Sequence, residues 1–190
     1  MSLQVLVVPE DPTVNGAILR PLFERMLREC GRPNAKVTVL TSPRVRGIGH
    51  LRGEFPGILE RYGWMDLILV AVDADGEDRS GVCGSLEARG RDAGKAVFAC
   101  AAVEEEVETW LLAGHADKLG EAWPEVRRNR RVKEEVFFPF LAVHGDARMP
   151  AGGREELMND GLRNYRGILQ RCPELAELEA RLRAHVEGGS

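Results

Sequence analysis

The sequence predicts an α/β fold built on a mostly parallel sheet of four strands flanked by helices, with a helical hairpin near the C-terminus. Short apolar runs alternate with segments in which apolar residues recur every three or four positions, the pattern of strands alternating with amphipathic helices. The third run, from Leu67 to Val72, is unbroken, as expected of a strand buried on both faces. We therefore expect right-handed crossovers with helices on the sheet.

The first predicted strand spans Leu3 to Val8, and an amphipathic helix follows it. The apolar face of that helix comprises Leu19, Leu22, Phe23, Met26 and Leu27. Thr13 or Asn15 is expected to cap the helix. Pro21 fits only in the first turn, because proline lacks the amide proton that later turns use.

The next elements follow the same alternation. Lys36 to Leu40 is β-branched and predicts the second strand. The glycine-rich basic stretch from Ser42 to Arg52 predicts a flexible loop, and Phe55 to Tyr62 has helical spacing. After the third strand, Arg79 to Gly94 predicts a helix and Ala96 to Val103 a fourth strand.

The clearest break in the chain lies from Ala147 to Gly153. Two helices are predicted after it, marked by Met158, Leu162, Tyr165 and Leu169 and by Leu175, Leu178 and Leu182. The sequence thus predicts an α/β domain over residues 1–146, with its core in residues 1–115. A helical extension over residues 154–187 would pack on that domain or form a dimer contact.

Carboxylates follow two of the predicted strands. Glu10 comes after the first strand, and Asp73 and Asp75 end the third. Alternate residues of an extended segment point the same way, so this pair could project together and would call for a cation or a raised pKa. Such hard oxygen ligands suit Mg²⁺ or Mn²⁺ better than zinc. A merely solvated acidic loop is the alternative.

A run of glutamates begins the segment after the fourth predicted strand. Glu105 and Glu108 would share one helical face, while Val107, Trp110 and Leu111 share another. Glutamates also suit the positive end of a helix dipole, which could explain them without any function. Glu108, beside an apolar Trp110, is the glutamate for which we predict a role.

Basic residues cluster locally although the net charge is −4, from 26 basic and 30 acidic residues. One cluster lies in the loop after the second strand, and the other is the strongest basic run in the chain. Both could be solvated surface or could contact a nucleic-acid backbone. The candidate contacts are Arg44, Arg46, Arg52, Arg127, Arg128, Arg130, Arg131 and Lys133.

Bulk composition narrows the protein class. The 190 residues are 44% hydrophobic and 29% charged, which is ordinary for a globular domain. The four cysteines form no C-x-x-C pair, so neither a structural zinc site nor a thioredoxin-like motif is visible. The sequence has no basic leader and no apolar run that could span a membrane, so we expect a cytoplasmic protein.

Glu10 and Asp73-Ala74-Asp75, each ending a predicted strand, resemble the acidic motifs of the Toprim domain, the metal-binding α/β module of topoisomerases, bacterial primases and OLD-type nucleases. With the segments Pro9 to Pro12 and Glu105 to Trp110, the chain looks most like a bacterial family of small, uncharacterised Toprim-like proteins. Several members are suspected to act in defence against phages or plasmids. The resemblance covers about the first 115 residues.

The resemblance implies a Toprim-like (Rossmann-like) fold and a nuclease or phosphodiesterase that depends on Mg²⁺ or Mn²⁺ and acts on nucleic acid. Glu10, Asp73 and Asp75 would be catalytic, and all three would bind metal together with Glu108. Glu10 would act as general acid or base, and the aspartates would hold magnesium. Glycine usually follows the glutamate, whereas Asp11-Pro12 follows it here and removes an amide donor for phosphate.

Other functions remain open at this point. The chain could be a non-catalytic or partner-dependent binding or sensing subunit that works with an ATPase or as a homodimer. A haloacid-dehalogenase-like phosphatase would carry its aspartate pair after the first strand instead of the third. A glycosyltransferase with Asp-x-Asp would leave Glu10 unexplained, and the chain is short for one.

Overall fold

The computed structural model describes residues 2–10, 14–75, 78–102 and 106–188. Its centre is a sheet of four parallel strands, β1 (Gln4–Pro9), β2 (Lys36–Val39), β3 (Leu67–Asp73) and β4 (Val97–Ala102). The strands lie in the order β2-β1-β3-β4. The predicted α/β class and the parallel sheet are therefore confirmed.

Helices connect the strands and follow the last one. The three crossover helices are α1 (Gly16–Glu29), α2 (Gly47–Arg61) and α3 (Ser80–Asp92). The helices after β4 are α4 (Glu108–Gly114), α5 (Trp123–Arg128), α6 (Phe138–His144), α7 (Arg154–Gly161), α8 (Tyr165–Arg171) and α9 (Pro173–Gly188). A π-helical turn at Lys133–Phe137 leads into α6, and short 3₁₀ turns lie at Ala116–Lys118, Pro150–Gly153 and Leu162–Asn164.

The two faces of the sheet are covered by different helices. Side chains alternate along each strand, so Leu6 and Val8 join a core with Phe55 of α2 and Leu86 of α3. The opposite face of the sheet packs against α1, α4 and α7 to α9, and the fully buried Trp110 belongs to that core. The strand order reverses between β1 and β3, and at such a point α/β sheets open a crevice beyond their carboxyl ends.

The C-terminal helices belong to the same core as α1. Helix α7 contacts α1 and α4, and α9 contacts β4. The single helix expected from Met158 to Leu169 is two helices, since the backbone of Asn164 leaves the helical region at φ −104° and ψ 43°. Residues 154–188 therefore complete one helical layer of the sheet.

Three local expectations near the N-terminus differ from the structure. Pro21 lies in the middle of α1, where a helix can lose one hydrogen bond if the proline is well packed, and it is buried there. Asn15 accepts hydrogen bonds from the Ile18 and Leu19 amides through its backbone carbonyl, and its side chain makes no cap; Thr13 lies outside the described residues. The loop predicted to reach Arg52 ends earlier, because α2 begins at Gly47.

Within the described part of the chain, no helix combines the length and the apolar composition needed to cross a lipid bilayer.

Candidate metal site

Three carboxylates converge beyond the carboxyl ends of β3 and β4. Asp73 is the last residue of β3, and Glu106 and Glu108 lie where the chain after β4 enters α4. One carboxylate oxygen from each residue lies within 4.8 Å of the other two, so the three side chains could hold a metal ion. We call these residues the acidic cluster. Its all-oxygen donor set suits a hard divalent cation.

Asp73 is tied to the neighbouring loop and carries a strongly shifted pKa. Its Oδ1 accepts a hydrogen bond from the Val107 amide at 2.9 Å, which fixes the start of α4 against the end of β3. Burial raises the pKa of Asp73 to about 8 despite that hydrogen bond, and the charges of Glu108 and Glu106 add to the rise. In the absence of a bound metal ion, the ionised form of this carboxylate is therefore disfavoured.

Glu108 is the most enclosed member of the acidic cluster. Its side chain is 0% exposed; neither carboxylate oxygen meets hydrogen-bond geometry with a described residue, and the Lys133 ammonium lies 3.3 Å from Oε1. Burial raises its pKa, while the nearby Lys133 opposes the rise. The Lys133 contact involves Oε1 and leaves Oε2 without a polar partner among the described residues, and a buried carboxylate oxygen in that position fits a cation site.

Lys133 supplies a positive charge beside the acidic cluster. Its ammonium donates to Glu106 Oε2 at 2.7 Å and lies 3.3 Å from Glu108 Oε1. Burial works against the charged amine, but the hydrogen bond to Glu106 and the charge of Glu108 outweigh it, so the pKa of Lys133 is raised. The residue begins the π-helical turn, a distortion often found at functional sites.

Glu10 lies next to the acidic cluster without belonging to it. Its Oε2 accepts a hydrogen bond from the Asp73 amide at 3.0 Å, and its carboxylate also accepts one from the backbone of Ile48 in the first turn of α2. Burial raises the pKa of Glu10, and only 7% of the residue is exposed. The side chain therefore links the ends of β1 and β3 to the start of α2.

The Asp75 side chain points away from the acidic cluster and toward Arg79. It follows the end of β3 with a left-handed backbone, φ 51°, and its exposed carboxylate forms an ion pair with Arg79 at 3.2 Å. The expected joint projection of Asp73 and Asp75 requires extended backbone through both residues, and the strand ends at Asp73. Among the described residues, the carboxylates that converge with that of Asp73 belong to Glu106 and Glu108. Glu105, Asp11 and Pro12 lie outside the described ranges.

The predicted basic contacts divide into internal and exposed residues. Arg127 binds both oxygens of Glu174, at 2.8 and 3.2 Å, and Glu174 also accepts a hydrogen bond from the Trp110 indole. Arg127 and Lys133 are thus engaged with buried acids of the same chain. The residues with exposed positions are Arg44, Arg46, Arg52, Arg128, Arg130 and Arg131.

Sequence reasoning missed Glu106 as a member of this site, and it missed that Lys133 pairs with the acidic cluster. A signal for Glu106 was present, because Glu106 and Glu108 are spaced one residue apart after a strand, as Asp73 and Asp75 are. No signal in the sequence pairs Lys133 with acids 25 or more residues away. Its position depends on how the segment after α5 folds back onto α4.

We compared the chain with known protein families, curated proteins and solved structures. No family model, curated protein or solved structure matches the chain. The resemblance to Toprim proteins therefore stays a prediction, and the acidic cluster is the main structural indication of function.

Asp73 makes the stability of the metal-free protein depend on pH. Because its folded pKa is about 8 and that of an unfolded aspartate about 4, the native state binds the extra proton between these values. The free energy of unfolding should therefore fall as pH rises through this window, by on the order of a few kcal/mol. Asp73→Asn should remove most of that dependence and make the protein more stable than wild type at pH 8.

The test is urea denaturation in EDTA from pH 4.5 to 8.5. The exposed Asp75→Asn is the matched control and should keep the wild-type profile. Parallel profiles for wild type and Asp73→Asn would contradict the prediction.

Proposed function

We propose that this protein is a phosphodiester hydrolase that depends on Mg²⁺ or Mn²⁺ and acts on nucleic acid, with the acidic cluster as its metal site. The supporting observation is Glu108, a fully buried carboxylate that converges with two further acids, while the single ammonium of Lys133 is shared between Glu106 and Glu108. Burying such a group costs several kcal/mol, a cost that a bound divalent cation offsets.

The chemistry would be divided between the ion and the chain. When bound there, a divalent ion would supply Lewis-acid chemistry, polarising a phosphodiester and neutralising charge that develops on it. Asp73, Glu106 and Glu108 would hold the ion, and Glu10 positions Asp73 by accepting a hydrogen bond from its backbone amide. Lys133 adds a positive charge that attracts a phosphate to the same place.

Substrate would approach from the side of α2. Arg46 is exposed and immediately precedes Gly47, whose amide donates to the Glu10 carbonyl at 3.3 Å. Arg44 is exposed two residues earlier. These side chains lie on the segment that contacts Glu10 through Gly47 and are the best candidates for contacts to the nucleic-acid backbone. A role in defence against phages or plasmids rests on the Toprim resemblance alone.

A second candidate is a non-catalytic binding or sensing subunit that acts with an ATPase or as a homodimer. The observation that favours it is Lys133, which already neutralises part of the charge of Glu106 and Glu108. On this alternative the three acids and Lys133 form an internal network that joins α4 to the π-helical turn.

Calorimetry and nuclease assays on the same samples test the proposal. Mn²⁺ and Mg²⁺ are titrated into wild type and into an Asp73→Asn, Glu108→Gln double variant, with Asp75→Asn as control. We expect one site in wild type and in the control, and at least about a hundredfold weaker binding in the double variant. Cleavage of single- or double-stranded DNA or RNA should require the metal and vanish in the double variant.

The outcomes separate the two candidates. Metal binding that is lost in the double variant, without cleavage of any substrate, would favour the binding subunit. Wild-type protein that binds neither metal would overturn the metal site and leave Lys133 as the counter-charge of the acidic cluster. Cleavage that persists in the double variant would show that the acidic cluster is not the catalytic metal site.

A further inference from the structure

The outer edge of β4 carries main-chain groups that no neighbouring strand uses. β4 is an edge strand, and in its parallel ladder alternate residues bond to β3. The Ile68 amide donates to the Ala96 carbonyl, and this bond fixes which residues of β4 face β3 and which face outward. The amides and carbonyls of Val97, Ala99 and Ala101 therefore point away from the sheet.

The first half of this edge is closed by side chains. Glu87 of α3 accepts a hydrogen bond from the Ala99 amide at 2.8 Å, as a carbonyl of a further strand would. Arg181 of α9 pairs with Glu87 and lies 5.3 Å from the centre of the Phe98 ring. This bridge between α3 and α9 covers the edge as far as Ala99 and protects it from pairing.

Beyond Ala99 the edge opens into a groove. The Ala99 carbonyl and the Ala101 amide have no hydrogen-bond partner in the part of the chain that the structure describes. A groove of about 630 Å³ lies beside them, between Ser80 and Gly84 of α3 and Glu177 of α9. That volume is in the range of ligand pockets. A single residue of a fifth parallel strand would donate its amide to the Ala99 carbonyl and accept a hydrogen bond from the Ala101 amide.

The charge of the groove selects among possible occupants. Arg79 and Arg181 both line it, and each is paired with a carboxylate, Asp75 and Glu87 respectively. Asp78 and Glu177 line it without an ion pair to any described residue. Negative charge disfavours a phosphate backbone and favours lysine or arginine side chains.

We propose that this groove binds an extended peptide segment of a partner protein that carries basic side chains. The segment adds to the sheet beside β4, bonds the Ala99 carbonyl and the Ala101 amide, and places its basic side chains near Asp78 and Glu177. Strand addition to an exposed sheet edge is a common mode of peptide recognition. The proposal does not depend on the acidic cluster or on any catalysis.

Gly84 offers a clean way to block the groove. A Cβ at this position would meet no atom within 4 Å, so Gly84→Trp adds bulk without a clash at the backbone and replaces a poor helix former. Gly57 of α2 has equally open surroundings away from the groove, so Gly57→Trp is the matched control. Ala101→Pro removes the outward amide and leaves the ladder to β3 intact.

The probe is an array of heptapeptides that alternate lysine or arginine with valine, isoleucine or threonine, beside copies with glutamate in the basic positions. Dissociation constants follow by fluorescence polarisation. We expect basic peptides to bind at least about tenfold more tightly than acidic copies, and both Gly84→Trp and Ala101→Pro to weaken binding by about tenfold or more, as the loss of main-chain bonds predicts. Gly57→Trp should bind like wild type.

In ¹⁵N-labelled protein, the Ala101 amide resonance should shift on peptide addition. The proposal is overturned if no basic peptide binds, if acidic copies bind equally well, or if Gly84→Trp binds like wild type. Binding of a single-stranded oligonucleotide that Gly84→Trp abolishes would also overturn it, because the groove would then belong to the nucleic-acid substrate.

Discussion

Lys133→Met is expected to lower the free energy of unfolding of the metal-free protein by about 3 kcal/mol at pH 8. Methionine keeps most of the aliphatic volume and removes the ammonium that lies 2.7 Å from Glu106 and 3.3 Å from Glu108. Glu108, which is fully buried, would then lose its nearest positive charge. The loss should shrink as the pH falls, because burial raises the pKa of Glu108 and protonation removes its charge.

Urea denaturation in EDTA measures this loss, and repeating it with Mn²⁺ tests the metal site separately. Bound Mn²⁺ should restore much of the lost stability, because it replaces the missing charge and binds only the folded state. Arg131→Met removes an exposed ion pair with Glu135 from the same segment and should change stability by less than about 1 kcal/mol. A Lys133→Met protein as stable as Arg131→Met at pH 8 would refute the account of the acidic cluster.

Trp110→Ala is expected to lower the free energy of unfolding by about 3 to 5 kcal/mol. Trp110 is 0% exposed and lies in the core between the sheet and the C-terminal helices. Its indole also donates to Glu174 at 2.9 Å, beside Arg127. The substitution would therefore leave a large cavity and remove one partner of a buried carboxylate.

Two further variants separate packing from hydrogen bonding. Trp110→Phe keeps most of the ring and should cost about 1 to 3 kcal/mol, through the lost donor to Glu174 and a smaller void. Trp64 is 64% exposed, so Trp64→Ala should change stability by no more than about 0.5 kcal/mol. Equal effects of Trp110→Ala and Trp64→Ala on the urea midpoint would contradict the buried position of Trp110.

The strands were predictable from sequence because each is a bounded apolar run. The expected Leu3 to Val8 differs by one residue from the observed Gln4–Pro9, and the other three strands agree as closely. The break between α7 and α8 was not predictable, since Met158, Leu162 and Tyr165 keep a helical spacing across it. A contact far away in sequence accompanies the break: a Cβ on Gly114 of α4 would lie 2.7 Å from the Cα of Gly161.

The acidic site was only partly predictable for a similar reason. Asp73 and Glu108 were identified from their places in the chain and lie together in the acidic cluster, but the pattern placed Asp75 beside Asp73 and left Glu106 out. Asp75 was expected beside Asp73, whereas the turn after β3 directs it to Arg79. The glutamates were assigned to helical faces, yet α4 begins only at Glu108, so Glu106 precedes the helix.

A run of charges likewise does not reveal its partners. Arg127 and Lys133 were grouped with the exposed arginines because they share a basic segment. The structure buries one against Glu174, 47 residues away, and the other against Glu106, 27 residues away. Contacts over such separations depend on the complete fold and not on local pattern.

The packing of the C-terminal helices on α1, α4 and β4 has a consequence for synthesis on the ribosome. The core between the sheet and helices α2 and α3 can close once β4 has emerged, because its residues all lie before position 102. The opposite face contains Trp110 and waits for α7, α8 and α9. During that interval a nascent chain exposes apolar strand residues, a state prone to association. Chaperone dependence should therefore rise if translation pauses between α4 and α9.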